Sequence, residues 1–213
     1  MTTLESLVAR ARALAADAGD GRVVIGIAGA PGAGKSSLAL ALAARLGAAT
    51  AVVVPMDGFH LAHAELERLG IVERKGAPDT FDAAGFVALL RRIVARDHDV
   101  VYAPEFRRDI EDPIAGAIPV ARAVPLVIVE GNYLLLDTAP WVEVSGLLTE
   151  SWYIEVDDQV RLDRLIARHE AFGRTPEAAR AHATGSDQRN AELIAASAHR
   201  ADVRVELSPT VGS

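Results

Sequence analysis

Short, nearly continuous runs of apolar residues are the clearest pattern along the chain. They occur at 23–28, 51–55, 126–129 and 152–156. Runs of this length predict strands that are covered on both faces, as in a parallel sheet. Between the runs, apolar residues recur at three- and four-residue spacing, which predicts amphipathic helices. The predicted helices are 3–17, 35–46, 83–96, one that begins at Asp157–Asp158, and 176–201 with a polar interruption at 184–190.

This alternation of strands and helices predicts an α/β fold. A strand followed by a helix and a second strand implies a parallel pair joined by a right-handed crossover. Val203–Leu207 alternates apolar and polar residues and predicts an added edge strand, whereas 208–213 is expected to be frayed. At 213 residues, the chain has the length of one α/β domain, and we expect a single domain over residues 1–213.

Two stretches are less regular. Residues 70–82 are polar and predict a loop, with Asp82 as the N-cap of the helix that follows. Asp99–Ala103 is a candidate short strand, and 104–125 after it is rich in turn residues. A stretch of that length without periodicity predicts either a functional flap or a hairpin insertion.

The first strand leads into the sequence GAPGAGKSS, in which Gly29, Gly34, Lys35 and Ser36 complete the P-loop (Walker A) pattern GxxxxGK[ST]. Glycines bring backbone N–H groups close to phosphate oxygens, and the helix N-terminus adds partial positive charge. Lys35 is expected to reach the β- and γ-phosphates, and Ser36 to offer its hydroxyl to Mg²⁺. The alternative is a chance glycine-rich turn. The residues expected to hold ATP are Gly29, Ala30, Pro31, Gly32, Ala33, Gly34, Lys35, Ser36 and Ser37.

Acidic residues follow two of the predicted strands. Asp57 comes after 51–55 and Glu130 directly after 126–129, and the carboxyl ends of parallel strands share one edge of the sheet. Asp57 is the candidate general base, although an aspartate before a helical pattern often serves only as a cap. Glu130 stands where a P-loop enzyme places its Mg²⁺-facing acid, usually an aspartate.

Basic residues form a second group of candidates. Arg161, Arg164 and Arg168 share one helix face, and Arg174 follows in a glycine-containing break. For Arg161 and Arg164 we favour a solvated face with ion pairs. For Arg168 and Arg174, nearest the break, neutralisation of a transferring phosphoryl group is the more attractive role.

His60 and His63 lie one helical turn apart. They could suggest a metal pair, but no further ligand stands at characteristic spacing, so surface or substrate contacts are preferred.

Composition limits the cellular location and the binding partners that we expect. The chain has no cysteine, which excludes disulfides and thiolate metal sites and favours a cytoplasmic protein. A formal net charge of −7 argues against a nucleic-acid partner, whose phosphates require a basic surface. The first nineteen residues predict a surface helix and not a targeting sequence, and no apolar run is long enough to span a membrane.

Taken together, the motifs resemble those of the phosphoribulokinase, uridine kinase and bacterial pantothenate kinase family of P-loop kinases, most of all the bacterial branch often labelled nucleoside kinase or fructose-transport kinase. The resemblance covers nearly the whole chain. It rests on GAPGAGKSS, VPMDGFHL, RKGAPDTFD, YAPEFRRDIEDP, VIVEGNYLLL and RLIARHEAFGRTPEAARAHATGSDQRNAEL, in that order.

The resemblance implies a five-stranded parallel sheet flanked by helices, a small lid at about 161–190, and ATP with Mg²⁺. By position in the motifs, Asp57 would be the base, Ser36 and Glu130 would support Mg²⁺, and Lys35, Arg168 and Arg174 would contact phosphates. The acceptor pocket would draw on His60, Tyr102, Arg108, Tyr133 and Asn190.

The sequence departs from the family pattern at three positions. Arg107 stands where an acid is usual, Arg189 stands where a proline commonly precedes Asn190, and His169 stands where uridine kinases carry aspartate. Arg107 leaves open which residue of its loop contacts the acceptor, and Arg189 leaves open the conformation of the local turn. His169 counts against a strict uridine kinase.

We therefore expect an ATP-dependent phosphotransferase that moves the γ-phosphoryl group of ATP to a hydroxyl of a small metabolite. A nucleoside, a sugar or a pantothenate-like acid would all serve as acceptor, and a homodimer is the default assembly. Arg107, Arg108 and Lys75 would suit an anionic acceptor, whereas the alternative is a ring stacked on aromatic residues: Phe59, Tyr102, Phe106 and Tyr133. The alternative is a P-loop ATPase that acts as a switch or in transport, although NKxD and LSGGQ-like motifs are absent from the sequence. A nucleotide-binding protein without catalysis is a third, weaker reading.

Overall fold

The computed structural model describes residues 2–206 and contains a five-stranded, wholly parallel sheet. Its strands, in chain order, are β1 Val23–Ala28, β2 Ala51–Pro55, β5 Leu126–Gly131, β6 Glu150–Glu155 and β7 Val203–Glu206, while β3 and β4 form the separate hairpin described below. Across the sheet the order is β2-β5-β1-β6-β7, so the P-loop strand is central. The predicted α/β fold is confirmed, and Val203–Glu206 forms the predicted edge strand. Leu207 and the tail 208–213 lie outside the described residues.

Seven α-helices are found in the described part of the chain. They are α1 Leu4–Asp17, α2 Lys35–Leu46, α3 His63–Leu69, α4 Ala83–Ala95, α5 Asp158–Ala171, α6 Pro176–Thr184 and α7 Ser186–Ser197. The apolar stripes of α1 and α2 pack on one face of the sheet, and those of α4 and α7 pack on the other. Because both faces are covered, β1 and β5 are buried along their whole length, as their unbroken apolar runs predict.

The irregular stretch after α4 forms an antiparallel hairpin outside the main sheet. Its strands are β3 Val100–Arg107, longer than the predicted 99–103, and β4 Asp112–Ala121. Of the two alternatives, a hairpin insertion is correct. Buried Val101, Ala103 and Val120 anchor the hairpin to the core cluster that contains α4. The loop 70–82 contains two short 3₁₀ turns, and Asp82 caps α4 by accepting from the N–H of Gly85 at 2.8 Å.

The predicted helical stretch 176–201 divides at Gly185, inside the predicted interruption 184–190, into α6 and α7. The polar residues after the break are helical and start α7. The N–H of Arg189 donates to the carbonyl of Gly185 at 3.2 Å, a bond that proline could not make. The arginine at this position therefore suits a continuous first turn of α7.

The solvent-exposed position favoured for Arg161 is wrong. Arg161 is 1% exposed and donates to Asp158 at 3.1 Å and to Gln188 of α7. The ion pair with Asp158 exists, but the guanidinium lies inside the contact between α5 and α7. Periodicity placed Arg161 on the correct helix face and could not reveal that α7 covers it.

No helix within residues 2–206 combines the length and the apolar character that crossing a bilayer requires.

A close backbone contact joins the hairpin to the end of β2. A Cβ added to Gly58 would lie 2.3 Å from the carbonyl oxygen of Pro104, which is a backbone atom and cannot rotate away. Gly58→Ala should therefore lower the free energy of unfolding by about 1–3 kcal/mol, the usual cost of overpacking. Urea denaturation measures it. Gly146→Ala is the matched control, since nothing lies within 4 Å of its added Cβ. Equal stability of the two variants would contradict the contact.

Candidate active site

The P-loop connects β1 to α2 in a conformation that requires glycine. Gly32 and Gly34 have φ of 84° and 96°, in the left-handed region that favours glycine. Space is limited as well, because a Cβ on Gly32 would lie 2.7 Å from the carbonyl oxygen of Arg161. The N-terminal part of α5 therefore packs directly against the loop. Helix α2 begins at Lys35, so its free N–H groups face the loop.

Lys35 is buried and folds back over the loop. Its Nζ donates to the carbonyl of Gly29 at 2.9 Å and to that of Ala30 at 3.2 Å. Burial lowers the pKa of Lys35, and the charge of Arg168 lowers it further, whereas Glu130 and Asp57 oppose the shift. The ammonium of Lys35 therefore lies near Glu130, Asp57 and Arg168, which the sequence proposes for the same site.

Glu130 lies between the P-loop and Asp57 because β5 lies between β1 and β2. In the register Glu130 pairs with Ile27 on one side and Pro55 on the other. Its Oε1 accepts from the Ser36 hydroxyl at 3.0 Å. Burial, followed by the charge of Asp57, raises its pKa to about 7, although Lys35 and Ser36 pull in the opposite direction.

This pair of oxygen donors fits a magnesium ion. Mg²⁺ binds through one or two protein oxygens together with waters and substrate phosphates, and Ser36 and Glu130 offer a hydroxyl and a carboxylate next to the phosphate loop. Burial raises the pKa of Glu130 although Lys35 opposes the shift, so a cation bound at Glu130 would favour the ionised carboxylate.

Asp57 lies in a 3₁₀ helix, Met56–Phe59, directly after β2. It does not cap the next helix, since Asp112 of the hairpin accepts from the first N–H of α3 at 2.8 Å. The carboxylate of Asp57 is instead paired with Arg108, at 3.5 Å. The capping alternative is thus wrong, and the side chain is available at the site.

The arginines of α5 take different places. Although Arg168 is exposed overall, surrounding protein and the charge of Arg108 lower its pKa, and Asp187, Asp57 and Glu130 oppose this. Arg168 therefore belongs to the cluster around Lys35. The guanidinium of Arg164 lies near Gly34, 3.9 Å from the position of an added Cβ. Arg174 is exposed, and its charge acts on His182.

The proposed acceptor residues divide into three groups. His60 and Arg108 lie beside Asp57: the ring Nδ1 of His60 is 2.8 Å from the Asp57 carbonyl oxygen. Tyr133 and Asn190 both donate to the carbonyl of Gly76, Asn190 at 3.3 Å. They fix the loop 70–82 against the core. Tyr102 is 57% exposed on β3, and no described polar contact joins it to the others.

The sequence also proposes Lys75 and Phe106 for the acceptor, and the structure brings both next to His60. Lys75 donates to the Glu111 carbonyl at 2.6 Å and lies 5.2 Å from the ring centre of Phe106, which packs on His60. Arg108 approaches the ring of Phe172 at the end of α5. Sequence reasoning missed Phe172 and this contact, because no local pattern marks them. Arg107, by contrast, faces solvent and pairs with Asp109.

Comparison with known proteins identifies the arrangement. A family model described as the Phosphoribulokinase / Uridine kinase family matches residues 24–212. The chain belongs to this family. Its members are ATP-dependent phosphotransferases that act on small metabolites, so the prediction of a small-molecule kinase is confirmed.

Individual relatives support the assignment. A Schizosaccharomyces pombe protein with the provisional name uridine kinase C227.14 is 39% identical over 160 residues, 71% of this kinase and 68% of that protein. Pantothenate kinase of Rhodococcus jostii is 31% identical over 180 residues, which are 81% of this kinase and 57% of the relative. A crystal structure from Silicibacter sp. TM1040, provisionally named a fructose transport system kinase, is 37% identical. It covers 96% of this kinase and 100% of its own chain with a TM-score of 0.85.

The buried Glu130 should leave a signature in the pH dependence of stability. With a folded pKa near 7 against an ordinary value of 4.5, the folded protein retains a proton that the unfolded chain releases. This contribution stabilises the fold at low pH and is lost as the pH rises from about 4.5 to 7. Glu130→Gln should therefore gain stability relative to wild type across that interval, measured by urea denaturation in a metal chelator. Exposed Glu177→Gln serves as control, and parallel curves for wild type and Glu130→Gln would refute the shift.

Proposed function

We propose that this kinase transfers the γ-phosphoryl group of ATP to a hydroxyl of a small metabolite in the cleft between the P-loop and the hairpin. The observation that carries the proposal is the convergence of Lys35, Glu130 and Asp57 at the carboxyl ends of adjacent strands. An ammonium, a metal-binding acid and a candidate base within one cluster are the groups that phosphoryl transfer requires.

Each side chain has a distinct part in this mechanism. The P-loop N–H groups and Lys35 hold the β- and γ-phosphates, so Lys35 must leave the carbonyls of Gly29 and Ala30 when nucleotide binds. Ser36 and Glu130 would hold Mg²⁺, which would neutralise phosphate charge when bound. Arg168 adds positive charge near Lys35, and Arg174 would have to approach from its exposed position. We propose that 161–190 acts as a lid for this purpose.

Asp57 accepts the proton of the acceptor hydroxyl. It is beside Arg108, whose charge holds the carboxylate in place, and beside His60, which bounds the acceptor space with Phe106. Lys75 and Arg108 provide positive charge for an acceptor that carries an anionic group, while His60 and Phe106 provide ring surface. Nucleosides, sugars and pantothenate-like acids therefore remain the acceptor classes to compare. Tyr133 and Asn190 contribute through the loop carbonyl that they hold.

Cytoplasmic location, a homodimer and the lack of a nucleic-acid partner stay predictions. The absence of cysteine and the net charge of −7 support the first and the third.

The experiment that tests the function measures ADP release by the purified protein with ATP and Mg²⁺. Nucleosides, pantothenate, hexoses, pentoses and glycerate are supplied separately, with a control that has no acceptor. ADP release that depends on one acceptor class supports the proposal and names the class. Equal release in every sample, including the control, would favour the ATPase alternative.

Lys35→Ala should reduce phosphoryl transfer by at least about 100- to 1,000-fold, because it removes a positioned charge from the transferring group. ATP binding should weaken too, as measured by calorimetry. Lys75→Ala is the control for the loss of a lysine charge nearby, and it should bind ATP as wild type does. Wild-type turnover by Lys35→Ala would exclude the P-loop mechanism.

Asp57→Asn should lower the turnover number by ~100- to 10,000-fold, the usual contribution of a general base, and leave the dissociation constant of ATP nearly unchanged. Steady-state kinetics and ATP titration together separate the two effects. Asp79→Asn, which changes an aspartate paired with Arg74 in the loop 70–82, should retain activity. Unchanged turnover in Asp57→Asn would remove Asp57 from the chemistry.

A further inference from the structure

A second cluster of ligating side chains lies among α5, α6 and α7, apart from Ser36 and Glu130. It contains His169 of α5, His182 of α6 and Asp187 of α7. One ligand atom from each residue lies within 4.8 Å of the other two. The Nε2 atom of His169 is 2.8 Å from Oδ2 of Asp187, and the two histidine rings meet edge to face with centres 4.8 Å apart.

We propose that His169, His182 and Asp187 bind one zinc ion that ties the three helices together. Two imidazoles and a carboxylate are a donor set that Zn²⁺ accepts, with water in the fourth tetrahedral position. Imidazole donors favour Zn²⁺ over Mg²⁺, so this site and the Ser36–Glu130 pair select different ions.

The cluster is built from partly enclosed side chains, not from a loose surface group. The side chains of His169 and Asp187 are only 15% and 13% exposed. Ser186 at the start of α7 places its hydroxyl 3.2 Å from Nε2 of His182. Each donor is thus already held close to its metal-binding position, and Zn²⁺ would replace the hydrogen bonds that now join the donors.

The charges around the cluster act in both directions. Desolvation lowers the pKa of His182, Asp187 opposes this shift, and the charges of Arg174, His169 and Arg168 lower the pKa further. The two guanidinium groups also repel a cation, so Asp187 is the donor that supplies the compensating charge.

Zinc at this position would fix the end of α5 relative to α7. His169 directly follows Arg168, and the break between α5 and α6 contains Gly173 with a φ of 89°. A metal bond from each helix would therefore restrict movement about this break. His169 stands where uridine kinases carry aspartate, and the phosphoryl-transfer site gives this histidine no role. Zinc binding would give it one.

Calorimetric titration of the purified full chain with ZnCl₂ in excess Mg²⁺ tests the proposal, since Mg²⁺ occupies the Ser36–Glu130 pair. One equivalent should bind wild type. His182→Gln should weaken that binding by more than ~100-fold, because loss of an outer-sphere partner alone costs 10- to 100-fold. His98→Gln is the matched control: His98 is exposed beside Asp97, and this variant should bind one equivalent as wild type does.

Two further measurements do not depend on how well His182→Gln folds. Asp187→Asn should lose the same equivalent, and Co²⁺ added to wild type should give the intense visible bands of a tetrahedral site. The proposal is overturned if wild type binds no Zn²⁺, if both cluster variants retain the equivalent, or if bound Co²⁺ shows only a weak octahedral spectrum.

Discussion

The burial of Glu130 beside Lys35 is the constraint on which the rest of the structure depends. Burying a carboxylate is costly unless positive charge and hydrogen bonds compensate. Here Lys35 and Ser36 compensate only in part, since the pKa of Glu130 still lies near 7. A protein that needed only stability would place an apolar residue at the end of β5. The arrangement makes sense for a kinase, because nucleotide and metal bring the missing charges with them.

The strand order decides which groups meet around that acid. Since β5 lies between β1 and β2, the residue at its end faces both the P-loop and the 3₁₀ helix that carries Asp57. The hairpin then closes the cleft from outside the sheet. Its Arg108 reaches Asp57 on one side and the ring of Phe172 on the other. The hairpin is thus in contact with both the proposed acceptor site and the end of α5.

The helices after β6 connect the phosphate loop to the proposed zinc cluster. Arg161 of α5 packs its backbone against Gly32 and its guanidinium against Gln188 of α7. About two turns further along α5, Arg168 is near enough for its charge to lower the pKa of Lys35, and His169 contacts Asp187. A change in the position of α5 relative to α7 would therefore move the charge of Arg168 relative to the P-loop. In this way the proposed zinc cluster would affect phosphoryl transfer.

Local pattern was enough to predict the sheet, the P-loop and the two acids, because each is encoded within a few residues: a short apolar run, GxxxxGK[ST], and a carboxylate directly after a strand. The sequence could not predict that α7 covers Arg161, that Asn190 holds the carbonyl of Gly76, or that His169, His182 and Asp187 meet. These contacts join residues on separate helices and loops, up to 114 positions apart, and their side chains are brought together only when helices and loops pack on the finished sheet. Periodicity determines which face of an element is apolar, and tertiary packing decides what lies against the other faces.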